Sequence, residues 1–368
     1  MRGKANPQPE LIAAINLEQR VPKDHPLREI KRSLDEVLSR LGPEFDGFYK
    51  VGGRPSVPPE VLLKSKVLIA LYSVRSERLF CEQLGYNLLW LWFLDREVGE
   101  GGFDHSLFSH HADGVLGAAM SERFFDETYR LSQEGGWTSN DHFSADGSLI
   151  EAWASAKSFR PKGEDDEGGG DGNGFKPSNP DVDFHGERRG NATHESRTDP
   201  ESVLYRKGRG KEAKLSFGLH SLMENRNGFI AELDVHNPIS EGEPEMALRQ
   251  LDRIAEKGKG EAKTAGADKG YHTKEFVGGC RGRGTKPHVA QVKGRRTPGM
   301  DGRTTSSRGY VTSQRIRKRA EEFFGWVKTV GGLRKARHRG REKIGACAHI
   351  AGGTYNLIRL ANLSLAAP

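Results

Sequence analysis

Three carboxylates stand where chemistry would need them: Asp146 in SADGS, Asp268 in GADKGY, and Glu321 inside the strongly basic stretch SQRIRKRAEEFFGWVKTVGGLRKARHR. Taken singly, each has an ordinary reading. Asp-Gly and Asp-x-Gly are turn signals, and Glu321 lies four residues after Arg317, a spacing that gives an exposed ion pair worth about 0.3–0.5 kcal/mol. Together they pose another problem. Carboxylates within ~4 Å of each other repel by roughly 4 kcal/mol per pair at an effective dielectric of ~20, so a cluster of them requires cations. Magnesium or manganese would serve, because these hard ions prefer oxygen ligands. Two such ions can activate a water or a sugar hydroxyl while stabilising a departing oxygen, which is the chemistry of phosphodiester bonds.

The acids must be carried by rigid elements. FSADGSLIEAWAS, KLSFGLHSLMENRNGFIAELDV, KTAGADKGY and KPHVAQV read as strands, with helical stretches at 244–257 and 273–280 between them. Alternating strands and helices imply a sheet carrying crossovers, and Asn225-Arg226-Asn227-Gly228 reads as a hairpin turn, so the sheet is mixed. Asp146 then lies in a first strand and Asp268 at the end of a later one. For Glu321 the pattern predicts one helix with Ser313 as N-cap. Ile316, Ala320, Phe323, Val327 and Val330 form its buried stripe, and Gln314, Arg317, Glu321 and Lys328 lie on the stripe beside it.

Upstream, residues 1–135 read as a small helical domain. Leu27, Ile30, Leu34, Val37 and Leu41 recur at three-four spacing, Pro58-Pro59 opens a second helix, and further helices are expected around Glu77–Leu84 and Ser106–Met120. Residues 136–368 form the second domain. It carries a flexible insertion within 160–212, whose stretch 161–192 holds eight Gly and three Pro and cannot bury a core. Residues 294–309 read as a loop.

Charge is unevenly placed. Residues 281–343 hold nineteen Lys and Arg against four acids, a net charge of +15, while the rest of the 368-residue chain carries −8. A field of that size marks a polyanion partner. A merely solvated basic tail would lack Phe323, Phe324, Trp326 and Val327, which need burial. Cys81, Cys280 and Cys347 form no CxxC pair, which argues against zinc and against a disulfide framework. His105, His110, His111 and Asp113 fit no metal-ligand spacing and read as surface or capping residues. No apolar run is long enough for a membrane span, and no signal peptide precedes the first helix, so the expected setting is the cytoplasm.

The chain resembles bacterial insertion-sequence transposases of the acidic-triad (DDE) type, close to the IS-five-like group. The marks are DGSLIEAWAS, ESRTDPESVLYRKGRGKEAKLSF, GADKGY, PHVAQ, DGRTT, QRIRKRAEEFFGWVKT, RKARHRG and YNLIRL. Arg317, Glu321 and Lys328 keep the spacing of the family signature Tyr–Arg–Glu–Lys, with Gln314 at the tyrosine position. The resemblance implies a ribonuclease-H-like α/β fold, a mixed sheet with flanking helices, behind the all-α N-terminal domain. It implies that Asp146, Asp268 and Glu321 are catalytic and bind two divalent ions, Mg2+ or Mn2+. It also implies that the N-terminal domain, with GRPSVPPEVLLKSKVLIALYS, helps recognise terminal inverted repeats in double-stranded DNA. Arg317 and Lys328 would contact DNA near the cleaved bond, and Arg315, Lys318, Arg334, Lys335 and Arg337 would add phosphate contacts. Cleavage at the element ends and 3′-hydroxyl transfer into target DNA by a homodimer or larger assembly would follow, in a bacterial, nucleoid-associated setting. A metal-dependent nuclease or resolvase on this fold, and a degenerate copy that binds DNA without cutting it, remain as alternatives.

Overall fold

The computed structural model describes residues 14–49, 56–163, 190–208, 210–294 and 296–366. Its N-terminal part is helical: α1 (Leu17–Arg20), α2 (Leu27–Asp46), α3 (Pro59–Leu71), α4 (Glu77–Leu84), α5 (Leu88–Phe93), α6 (Ser106–His110) and α7 (Ala118–Glu134). α2 buries Leu27, Ile30, Leu34, Val37, Leu38, Leu41 and Phe45 along one stripe. α3 starts on Pro59, where a missing N–H costs nothing. The helix expected over Ser106–Met120 is broken into α6 and α7. At Gly117, between them, a side chain would come to 3.0 Å from the Asp113 backbone, so the close turn favours a small residue.

The second part comprises β1 (Phe143–Glu151), β2 (Phe159–Pro161), β3 (His194–Ser196), β4 (Val203–Tyr205), β5 (Lys214–Glu224), β6 (Phe229–His236), α8 (Glu243–Glu256), β7 (Thr264–Ala267), α9 (Lys274–Gly282) and β8 (Lys286–Val289). Then come α10 (Gly302–Thr305), α11 (Arg308–Ile316), α12 (Arg319–Thr329) and α13 (Arg341–Ala366). The main sheet runs β4-β5-β1-β7-β8, with β6 also paired to β5. β1, β5 and β6 are antiparallel neighbours, whereas β7 and β8 run parallel to β1. This mixed sheet, crossed by α8 and α9 and flanked by helices, is the ribonuclease-H-like arrangement expected from the sequence. The β5–β6 hairpin closes on Gly228 at φ +79°, as the Asn-Gly signal predicts.

Alternation along β1 separates two apolar layers. Phe143 and Ala145 pack with the layer that includes Ala247, Leu251 and Phe276, while Ile150 joins Phe323, Phe324, Val327 and Tyr355 on the opposite face. α13 lies against α7 and β6 and links the helical part to the sheet.

Other expectations need correction. The segment 160–212, expected as a flexible insertion, carries paired strands. β2 pairs with β3, and β4 pairs with Leu215 and its neighbours in the main sheet. Buried Phe159 stacks on His194 at 5.5 Å, which gives the segment an apolar anchor that Gly and Pro counts hide. Residues 164–189 lie outside the described residues. Residues 294–309 are not plain loop, for they hold α10 and the start of α11.

The single helix from Ser313 is also two helices. Ser307 is the cap, accepting from the Tyr310 N–H at 3.2 Å, and Ser313 lies buried inside α11. Tyr310 donates to the Val289 carbonyl at 2.9 Å, which fixes this earlier start against β8. The axis breaks at Arg317–Lys318, and α12 begins at Arg319. Ala320, Phe323 and Val327 remain fully buried, whereas Ile316 and Val330 are only half-buried.

Candidate active site

Asp146 sits in the middle of β1, paired with Ser221 of β5. Ser144 pairs with Gly266 in the parallel β1–β7 ladder. Two residues further along each strand come Asp146 and Asp268, so the strand register sets these two acids side by side on neighbouring strands. Asp268 immediately follows β7. Its carboxylate accepts the Gly270 N–H at 2.6 Å and caps the turn Lys269–Tyr271.

Glu321 is brought from far along the chain. α12 runs beside β1 and is fixed at both ends. Arg319 donates to the Asn225 carbonyl at 2.8 Å near the start of the strand, and Lys328 donates to Ser148 Oγ further along it. Phe323, Phe324 and Val327 bury the helix face between those anchors. Glu321 is exposed on the first turn of α12.

Electrostatics tie the three acids together. Burial pushes the Asp146 carboxyl up to about 6; the Gly147 N–H bond and the Arg317 guanidinium pull it down, while the Asp268 and Glu321 charges add to the rise. Gln314 holds Arg317 through a 3.1 Å bond from Nε to its Oε1, and donates its own amide to the His288 carbonyl. Glutamine therefore takes a positioning part where the family signature has tyrosine.

Carboxylate oxygens are hard donors, and Asp146, Asp268 and Glu321 are chemically suited to a hard divalent ion. They do not yet meet at one point. Among the described residues no three Asp, Glu, His or Cys side chains are arranged to hold an ion between them. The strand pair supplies two acids at one level, and Glu321 stands on a helix whose start adjoins the break at Arg317–Lys318.

The basic residues divide. Arg315, Lys318 and Arg334 are exposed. Lys328 is half-buried with its ammonium at Ser148; burial, Lys207 and Arg334 lower its pKa, and Asp146 opposes them. Lys335 lies 3.6 Å from Glu151. Arg337 is exposed as well, and one of its nitrogens donates to the Val74 carbonyl at 3.0 Å in the helical part.

One acid at the site is missing from the sequence-level set. The Glu243 carboxylate lies against Gly147, where any Cβ would overlap it, and burial followed by the Asp146 and Asp268 charges raises its carboxyl. Its signal in the sequence was only a helix start, EGEPEM, which says nothing of what that start faces.

Comparison with known proteins places these features in context. A family model described as a transposase domain (DUF772) matches residues 15–113, and one described as a transposase DDE domain matches residues 188–357. No curated protein matches the chain. A cryo-EM structure of the piggyBac transposase synaptic complex with hairpin DNA aligns at a TM-score of 0.42 and 10% identity, over 94% of this chain and 77% of that one. The crystal structure of a pre-cleavage Mos1 transpososome aligns at 0.21 and 10% identity, over 86% and 81%. No helix among the described residues is long and apolar enough to cross a membrane.

Proposed function

The chain belongs to the DDE transposases, and from that premise we propose that Asp146, Asp268 and Glu321 are the carboxylates with which it cuts and joins DNA at the terminal inverted repeats of a mobile element. The observation that carries this reading is the strand register that brings Asp146 on β1 level with Asp268 after β7, with α12 anchored along β1 to present Glu321; the raised Asp146 carboxyl, on which burial, Asp268 and Glu321 act, agrees with it. Such a cluster of like charge is stable in a working complex only with cations.

Asp146 on β1, Asp268 directly after β7, and Glu321 on α12 would hold magnesium or manganese, two ions in the DNA complex. When bound, such ions activate a water or a 3′-hydroxyl and stabilise the departing oxygen. The chain's own part is to orient. The strand register fixes two acids, the α12 anchors set the level of the third, and Arg317 is aimed from Gln314 toward Asp146. Lys328, Arg315, Lys318 and Arg334 bind phosphates around the site. The helical part, residues 1–135, recognises the element ends, and residues 136–368 carry the chemistry. Two ends held together call for a homodimer or a larger assembly. The Arg317, Glu321 and Lys328 spacing supports placing the chain in the IS-five-like group, acting on bacterial DNA in the cytoplasm.

The test uses oligonucleotides carrying the native element ends, with and without magnesium. Metal-dependent nicking followed by joining of the 3′ end to target DNA is expected, and Asp146→Asn should lower it by about 10³-fold or more, because several kcal/mol of charge stabilisation are lost. Cutting without joining would leave a nuclease or resolvase, and tight end binding without any cutting would leave a degenerate copy.

A further inference from the structure

Beneath the acids, on the α8 side of the sheet, lies a buried polar chain that the mechanism above does not use. His220 on β5 pairs with Gly147, the residue after Asp146, and is fully buried. Its Nδ1 lies 2.8 Å from Gln250 Oε1 and its Nε2 lies 2.7 Å from the Tyr271 hydroxyl. The direction of these bonds can be fixed. Gln250 Nε2 donates to the His220 carbonyl at 3.1 Å and to Asp234 Oδ2 at 2.6 Å, so Gln250 Oε1 is the atom turned to the ring, and it can only accept. The Nδ1 nitrogen therefore carries the proton. Nε2 is left with a lone pair, and the Tyr271 hydroxyl must donate to it. Burial, which holds His220 down to about 4, keeps the ring neutral.

Tyr271 ends the turn that Asp268 begins. Its N–H donates to the Asp268 carbonyl at 3.3 Å, while the Asp268 carboxylate accepts from Gly270 within the same turn. Its ring is fully buried and meets Phe276 edge-on at 5.3 Å. The charges acting on its hydroxyl are those of Glu243, Asp146 and Asp268. A phenol free to rotate would not hold the 269–271 turn to β5. This one is not free, since its only proton is committed to His220.

We propose that Tyr271 is a positioning residue for the metal site: the Gln250–His220–Tyr271 chain pins the 269–271 turn to β5 and so holds the Asp268 carboxylate in place. This rests on the reading that Asp268 is a metal ligand.

The test is direct Mn2+ titration of the full chain on end DNA, followed by electron paramagnetic resonance, with thermal unfolding in parallel. The wild type should bind and Asp268→Asn should not. Tyr271→Phe and His220→Leu should each weaken Mn2+ binding by about tenfold, the size expected for a group that orients a ligand. His220→Gln, whose side-chain oxygen can still accept the hydroxyl, should restore near-wild-type affinity. Wild-type affinity in both Tyr271→Phe and His220→Leu would overturn the proposal while leaving the metal reading intact. If Tyr271→Phe fails to fold, the His220→Leu and His220→Gln pair decides: a difference supports the proposal and equal affinity overturns it. If Asp268→Asn binds Mn2+ as tightly as the wild type, the metal reading falls and this inference with it.

Discussion

Lys328 on α12 donates to the hydroxyl of Ser148, which stands on the same face of β1 as Asp146. One bond thus joins the basic helix to the strand that carries the first acid, and it connects residues that are 180 apart in sequence. Since a bond to a charged group is worth about 1.5–3 kcal/mol, Lys328→Met should slow single-turnover cleavage by roughly 10- to 100-fold. Ser148→Ala removes only the neutral partner and should cost less than Lys328→Met. Equal rates for Lys328→Met and wild type on pre-bound DNA would remove Lys328 from the site.

Asp146 gives a signed pH dependence. Its folded pKa of about 6 lies above the ordinary 3.8, so the folded chain keeps this proton after the unfolded chain has released it. In metal-free buffer the contribution to stability therefore falls as pH rises through this interval and levels off above it. The size is about 2–3 kcal/mol at 1.36 kcal/mol per unit. Urea unfolding in chelator across this range should show the decline in the wild type and its loss in Asp146→Asn. Parallel curves for the two would contradict the buried setting of this acid.

Phe323 is fully buried in the middle of α12, two residues from Glu321, and meets the Tyr355 ring edge-on at 5.2 Å. Phe323→Ala should destabilise the fold by about 3–5 kcal/mol, read from denaturant midpoints. Cleavage should fall more steeply than end binding, because this face holds the helix that carries the third acid. A midpoint unchanged from wild type would show that α12 is not packed as described.

Salt separates the basic residues. Arg315 and Lys318 are exposed, so their alanine variants should each lower the slope of log affinity against log salt by about 1. Arg337→Ala should leave that slope unchanged, because its guanidinium serves the Val74 carbonyl. A drop in slope for Arg337→Ala equal to that for Arg315→Ala would reassign Arg337 to the DNA.

Much of the scaffold was legible because short-range patterns specify it. The Asn-Gly signal placed the β5–β6 turn, strand-like runs placed β1, β5 and β6, and Pro59 and the Leu27–Leu41 stripe placed α3 and α2. The errors fell where local signals compete. Ser307 and Ser313 are both capping residues, and only the Tyr310 bond to Val289 on another strand decided which one starts a helix. The 160–212 segment read as a flexible insertion from its Gly and Pro content, because Phe159 and His194, which stack across it, are too far apart for any periodicity to register.

The sequence by itself determined which acids to consider, the mixed sheet, and the basic segment for a polyanion, since composition, spacing and alternation act over a few residues. Only the tertiary structure decided that Glu243 lies against Gly147, that Arg337 reaches the Val74 carbonyl, and that Tyr271 donates to His220. Those outcomes depend on strand register and on which helix end faces which strand, and both are fixed by long-range packing that leaves no mark on neighbouring residues.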